Sequence, residues 1–328
     1  MSLFQTLRAF VLPLTFLHLA VSPPARAQEV KLKVNIFAGP QNIALFVAQE
    51  RGFFAKRGLA VETIFTPTSQ AQRDGIADGT FQIAQAGVDN AVFLVDVTKV
   101  DTIIVAGGGN GMNDLIVRPE IMSFEDIRGK TVVVDAPNTA YAFLLYKMLA
   151  LKGLERGSYE VLPKGSATLR LQMMREDLDN VAAMLNPPYN FIGEKGGFKN
   201  LGPGVGVVGA YQADGVWVLR SWAKANADTL VKYLQANLEG MRWAKQSANH
   251  AEAAVIVGKK LNIDADLAMC SVRATVGPDG GLADHLRFDW EGFRNTLKLR
   301  AEMTGQPAGS IPPADRYVDL SYYEQAIR

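Results

Sequence analysis

The sequence predicts an α/β protein of two lobes joined by a two-segment hinge. Strand and helix signals alternate through residues 30–105, the mark of a mostly parallel sheet. A second α/β run starts near residue 130, and two extended segments, 113–118 and 214–220, cross between the runs. The second lobe is therefore inserted into the first, with lobe 1 expected at 28–115 and 216–328 and lobe 2 at 116–215. A hinged pair of lobes of this kind holds its ligand in the cleft between them.

Residues 1–27 carry Arg8 ahead of an apolar run over 9–21 and end Ala25-Arg26-Ala27, the pattern of a secretory signal peptide cut after Ala27. The run is shorter than the roughly 18 residues that span a membrane. A signal anchor is the alternative, because Arg26 is unusual between the two alanines.

Strict polar–apolar alternation over 29–37 predicts the first strand, ended by Gly39-Pro40. Ile43, Leu45, Phe46, Val47 and Phe53 form a helical stripe over 41–54, and strands follow at 60–65 and 80–84 with a helix over 70–77 between them. A fourth strand, 102–106, runs into Gly107-Gly108-Gly109-Asn110-Gly111, read as a hinge or turn. In the second lobe, the apolar run 130–135 is a buried strand. Asn138-Thr139 precedes a helix over 140–152, residues 167–175 form another, and 180–185 is a strand stopped by Pro187-Pro188. Beyond Ser221 the pattern is helical only, over 227–244, 251–261, 264–276 and 290–304, and these helices are expected to pack on lobe 1.

Lys+Arg number 34 and Asp+Glu 33, so charge points to no nucleic-acid partner. At 48% hydrophobic and 20% charged residues, the composition is that of an ordinary folded chain. The single cysteine, Cys270, excludes an intramolecular disulfide and a thiolate zinc cluster, and its apolar neighbours suggest a core position. Outside the leader only His250 and His285 remain, without ligand spacing, and no hydrolase elbow, P-loop or dinucleotide fingerprint occurs. Catalysis has no nominated residue.

Binding does. Four turns follow strand ends and lead into helices, whose first N–H groups are free for a ligand. They contribute Gln41 and Asn42; Gly87, Asp89 and Asn90; Asn138, Thr139 and Tyr141; and Asn186 and Tyr189. In an open parallel sheet all four lie at the carboxyl edge. Asn138 and Thr139 fit a helix cap as well as a ligand contact. Asp89 repels an anion unless it caps a helix or meets a cation. Tyr141 and Tyr189 suit either stacking or closing the cleft. No arginine stands in these turns, so an anion would need a basic residue from elsewhere in the fold.

Gly39-Pro40-Gln41-Asn42 and the stretch 46–62, with its Gly52-Phe53-Phe54 and Arg57-Gly58-Leu59, resemble the substrate-binding proteins of ABC importers of the nitrate, sulfonate and bicarbonate type, which include binders of thiamine pyrimidine precursors. Residues 78–84, 114–117 and 124–134 extend the similarity over most of the chain. The resemblance implies a type II periplasmic binding fold and a monomer in the periplasm. It implies a small-molecule solute handed to an ABC transporter permease, with neither cofactor nor bound metal. It also places ligand contacts on the four turns. The third turn departs from the glycine- and serine-rich pattern, since Ala136-Pro137-Asn138-Thr139 leaves fewer backbone donors; a planar carboxylate or heterocycle suits it better than a sulfonate. Two other functions share the fold: an enzyme on a pyrimidine or menaquinone precursor, and a ligand-sensing subunit of a membrane receptor. The leader favours the binder over the enzyme.

Overall fold

The computed structural model describes residues 29–328; the expected signal peptide lies outside the described residues. The first lobe opens with β1 (Val30–Ile36), α1 (Ile43–Glu50), β2 (Leu59–Phe65), α2 (Ser69–Ala77), β3 (Ile83–Gly87), α3 (Val88–Phe93) and β4 (Thr102–Gly107). The chain then enters the second lobe through β5 (Asp114–Val117), followed by β6 (Thr131–Val134), α4 (Ala140–Ala150), β7 (Glu160–Pro163), α5 (Ala167–Glu176), β8 (Asn180–Leu185), α6 (Tyr189–Lys195) and β9 (Lys199–Pro203). It returns through β10 (Asp214–Leu219) and ends in helices α7 (Arg220–Ala225), α8 (Ala227–Ala244), α9 (His250–Leu261), α10 (Ala265–Val276), α11 (Trp290–Met303) and α12 (Ser321–Ile327).

Each lobe holds one five-stranded sheet, ordered β2-β1-β3-β10-β4 and β7-β6-β8-β5-β9. The sheets are mixed instead of mostly parallel, and the crossing segments are the reason. β10 inserts antiparallel between β3 and β4, and β5 antiparallel between β8 and β9. Both are full sheet members, each beginning two residues before the first residue expected of the lobe it enters. The third strand starts at Ile83 instead of residue 80, because Asp78 accepts from Thr80 N–H and Gly79 adopts φ 81°, which together make a turn there.

Gly107, Gly108 and Gly109 serve close backbone approach at the crossing. A Cβ on Gly107 would stand 2.2 Å from the Arg287 carbonyl oxygen, and one on Gly108 would stand 2.7 Å from that of Asp214. The glycine run therefore brings chains together more than it frees them.

Val34, Ile36, Ile43, Phe46 and Val216 of the first sheet and α1 pack against Leu230, Tyr233 and Met241 of α8. The opposite face of that sheet buries Trp217 with Phe293 and Tyr317. Helices α8 to α10 cover lobe 1 as expected, whereas α11 spans both lobes: Phe293 and Leu297 lie in the first core, Leu299 in the second with Phe143 of α4. Lys147 and Glu302 reinforce that junction at 2.5 Å. Cys270 is exposed, contrary to expectation, because the buried stripe of α10 runs through Ala268, Ser271, Val272 and Thr275. Among the described residues no helix is long and apolar enough to cross a membrane.

Helix α8 crosses α1 at Gly240, where a Cβ would lie 2.2 Å from the Ala44 carbonyl oxygen, in a helix that cannot yield locally. Gly240→Ala is expected to destabilise by roughly 1–3 kcal/mol in urea unfolding, although Ala is favoured over Gly in helices by about 1 kcal/mol. A gain in stability would show that the crossing is looser than this.

Candidate functional site

The cleft between the lobes is built from strand ends. Phe37, Ala38 and Gln41 follow β1, Ser69 follows β2, and Ala86, Gly87, Asp89 and Asn90 end β3 and begin α3. Across from them lie Asp135, Thr139 and Tyr141 after β6, Ser166, Ala167 and Arg170 after β7, and Asn186 after β8. Parallel strands bring their carboxyl ends to one edge. The antiparallel β10 brings its amino end to the same edge, and so adds Asp214. Together these residues line the cleft, which as closed here holds a cavity of about 40 Å³.

The lobes touch across this space. Asp89 of lobe 1 accepts from the Ala140 backbone N–H at 2.7 Å, so a carboxylate of one lobe seats on the first turn of α4 in the other. Ser166 N–H donates to the Pro67 carbonyl at 3.0 Å, and Asn186 Nδ2 reaches Gln41 Oε1 at 3.5 Å. The site is held from both sides.

Of the residues expected from sequence, Gln41, Gly87, Asp89, Asn90, Thr139, Tyr141 and Asn186 line the cleft. Asn42, Asn138 and Tyr189 do not. Asn42 is fully buried and spends its amide on the Phe37 and Gly39 carbonyls at 2.8 and 3.1 Å, which stitches the turn instead of facing a ligand. Thr139, and not Asn138, caps α4, its hydroxyl accepting from Ala142 N–H. Tyr189 opens α6 and packs towards Leu171 and Ile192 on the far side of β8.

The family described as NMT1/THI5 like matches residues 39–251, which include the whole second lobe and every cleft-lining strand end except that of β1 at Phe37 and Ala38. The chain belongs to the NMT1/THI5-like family. No curated protein sequence matches it. Among solved structures, a protein of Bordetella bronchiseptica RB50 superposes with a TM-score of 0.78 at 17% identity, covering 91% of this chain and 97% of that one. The periplasmic nitrate-binding protein NrtA from Synechocystis PCC 6803 gives 0.76 at 14% identity, covering 91% and 88%. The alkanesulfonate-binding protein SsuA from Xanthomonas axonopodis pv. citri, bound to MOPS, gives 0.71 at 14% identity, covering 89% and 99%. The type II periplasmic-binding-protein fold is shared throughout.

In this member of the NMT1/THI5-like family three carboxyl groups and one guanidinium line the cleft. Asp135 accepts from the Thr139 hydroxyl at 2.6 Å; burial pulls the Arg170 guanidinium below its ordinary value, and the Asp135 charge opposes that. Arg170 sits on α5 and donates from Nε and Nη2 to the Met184 carbonyl at 3.2 and 2.9 Å and from Nη1 to that of Gly165 at 2.5 Å. Much of its hydrogen bonding is thus spent on backbone. Burial pushes the Asp89 carboxyl upward, while Arg300, the Ala140 N–H and Arg73 pull it back. Both of those arginines stack on Phe93, with Arg73 at 4.1 Å and Arg300 at 5.5 Å from the ring centre. Asp214 is pushed up to about 7, chiefly by burial and also by Asp89, against the opposing Tyr141 hydrogen bond. Enclosure and the Asp214 charge in turn push the Tyr141 phenol well above its ordinary value.

Sequence reasoning missed Asp135, Ser166, Arg170 and Asp214. Asp135 directly follows β6 and directly precedes a nominated turn, and Ser166 caps the predicted helix at 167, so both signals were present. Arg170 is set four residues inside that helix, and Asp214 begins a strand whose direction only the sheet reveals. Among the described residues no group of His, Cys, Asp or Glu is arranged to hold a metal ion.

Proposed function

We propose that this chain is the exported solute-binding component of an ABC importer, which closes its two lobes on a small planar organic solute and delivers it to a membrane permease. The observation that carries the reading is the Asp89–Ala140 contact, 2.7 Å long, at the mouth of α4. In a cleft built for a small oxyanion, a free helix N-terminus would be the natural seat. Here the protein's own carboxylate occupies it, which speaks against nitrate, sulfonate and bicarbonate. The remaining walls suit a flat organic body: Phe37 and Tyr141 provide aromatic faces, and Gln41 and Asn186 provide amide groups at its edges, while Asn90 is held by Arg73 and Gln72. Neither histidine nor Cys270 lines the cleft, so the enzymatic alternative finds no nucleophile of those types there.

Thermal unfolding tests this, with the protein first unfolded and refolded to strip carried-over solute. The additives are nitrate, bicarbonate, alkanesulfonates, aromatic carboxylates, pyrimidines and other planar heterocycles. A bound solute at about 100 times its Kd adds about 2.7 kcal/mol and raises the midpoint by several degrees. Stabilisation by a planar organic compound that is recovered unchanged is the expected result. A hit confined to small oxyanions would overturn the planar-solute reading, and consumption of the hit would replace the binder by an enzyme.

A further inference from the structure

We propose that Asp214 determines the class of solute, its carboxylate receiving the N–H donors of a small organic cation; this deepens, and rests on, the solute-binding reading above. The cleft carboxylates differ in what balances them. Asp89 has Arg300 and Arg73 behind it and the Ala140 N–H in front. Asp135 is paired with the Thr139 hydroxyl and lies within the field of Arg170. Asp214 has no such partner. It is 7% exposed, its Oδ1 accepts only a long bond of 3.4 Å from the Tyr141 hydroxyl, and its Oδ2 accepts none. A buried carboxylate oxygen without a donor is costly, and a site tolerates it where a ligand supplies the missing group.

Placement reinforces the point. Asp214 pairs with Gly87 across the β3–β10 ladder, so it stands between the two lobes at the strand through which the chain returns to lobe 1. Gln212 donates to its backbone carbonyl, and Gly108 leaves room for that carbonyl to pack, which holds the residue in place. The groups that face it are the Tyr141 hydroxyl from α4, the Asp89 carboxylate from α3 and the Tyr211 phenol from the crossing segment. None is a cation. A solute carrying a planar, delocalised positive charge with two N–H groups therefore supplies both the missing charge and the missing donors.

Three probes of nearly one shape separate charge from shape: benzamidinium, benzamide and benzoate. Calorimetry on the wild-type protein at pH 8 is expected to give benzamidinium an affinity at least about tenfold above benzamide, with benzoate weakest. In Asp214→Asn the preference for the cation should collapse to within about twofold. A measurement without any substitution stands beside it. Benzamidinium keeps its charge across this range, so wild-type affinity should rise about tenfold from pH 6 to pH 8 as Asp214 ionises. A cation preference that survives Asp214→Asn, or a wild-type preference for benzoate or benzamide, overturns the proposal while leaving the solute-binding reading intact. Binding of none of the three also overturns it, and the solute-binding reading is then decided by the broader thermal panel alone.

Discussion

Asp214→Asn is expected to make the solute-free protein more stable at pH 8, by roughly 4 kcal/mol, or on the order of 5–10 °C in Tm for a chain of this length. The carboxyl is held at about 7 in the folded protein against an ordinary value of 3.8. Between those values the folded state keeps a proton that the unfolded chain has released. The wild-type protein therefore loses stability as pH rises through this window, and the loss is complete above about 7. Below the ordinary value both states are protonated and Asp214 contributes nothing. Asparagine cannot ionise, so the Asp214 contribution to the slope disappears and the variant's advantage grows from pH 4 to pH 8. Differential scanning calorimetry across that range checks it; an equal or lower Tm for the variant at pH 8 would show that the folded protein does not pay to ionise this group. Loss of cation affinity together with gain in stability is the signature of a residue kept for binding.

Asp89→Ala is expected to act in the opposite sense, with a loss of roughly 3–5 kcal/mol, the usual range when one member of a buried charge group is removed. The residue is 5% exposed, and its removal would leave Arg73 and Arg300 facing an apolar methyl group. Both arginines already have one buried nitrogen without a partner, Nε in Arg73 and Nη1 in Arg300, so the cluster has no spare acceptor to offer. The Ala140 N–H would be orphaned at the same time, and with it goes a contact between lobes. Urea unfolding should show the destabilisation, and small-angle scattering a larger radius of gyration as the lobes part. A loss below about 1 kcal/mol would show that the arginines and the Ala140 N–H do not depend on the Asp89 carboxyl.

The two-lobe plan is legible in the residues alone, since alternating strands and amphipathic helices can be read wherever local periodicity and turn residues agree. So are the four turns, because a strand that ends in Gly, Asn or Pro and leads into a helix announces its own carboxyl edge. Seven of the ten nominated residues line the cleft for that reason. The three that do not line it still stand in the right turns: Asn42 donates to its own turn's backbone, Asn138 precedes the cap at Thr139, and Tyr189 packs behind β8. Local sequence specifies the turn but not which side of it faces the other lobe. Charge balance in the cleft was beyond reach altogether. Arg73, Arg170 and Arg300 come from α2, α5 and α11, and their charges act on acids as far as about two hundred positions away in the chain. Asp214 reaches the site only because β10 runs against its neighbours, which puts a strand's first residue where the others put their last. Strand direction is set by long-range pairing, so the one cleft carboxylate left without a cation could be recognised only once both sheets were assembled.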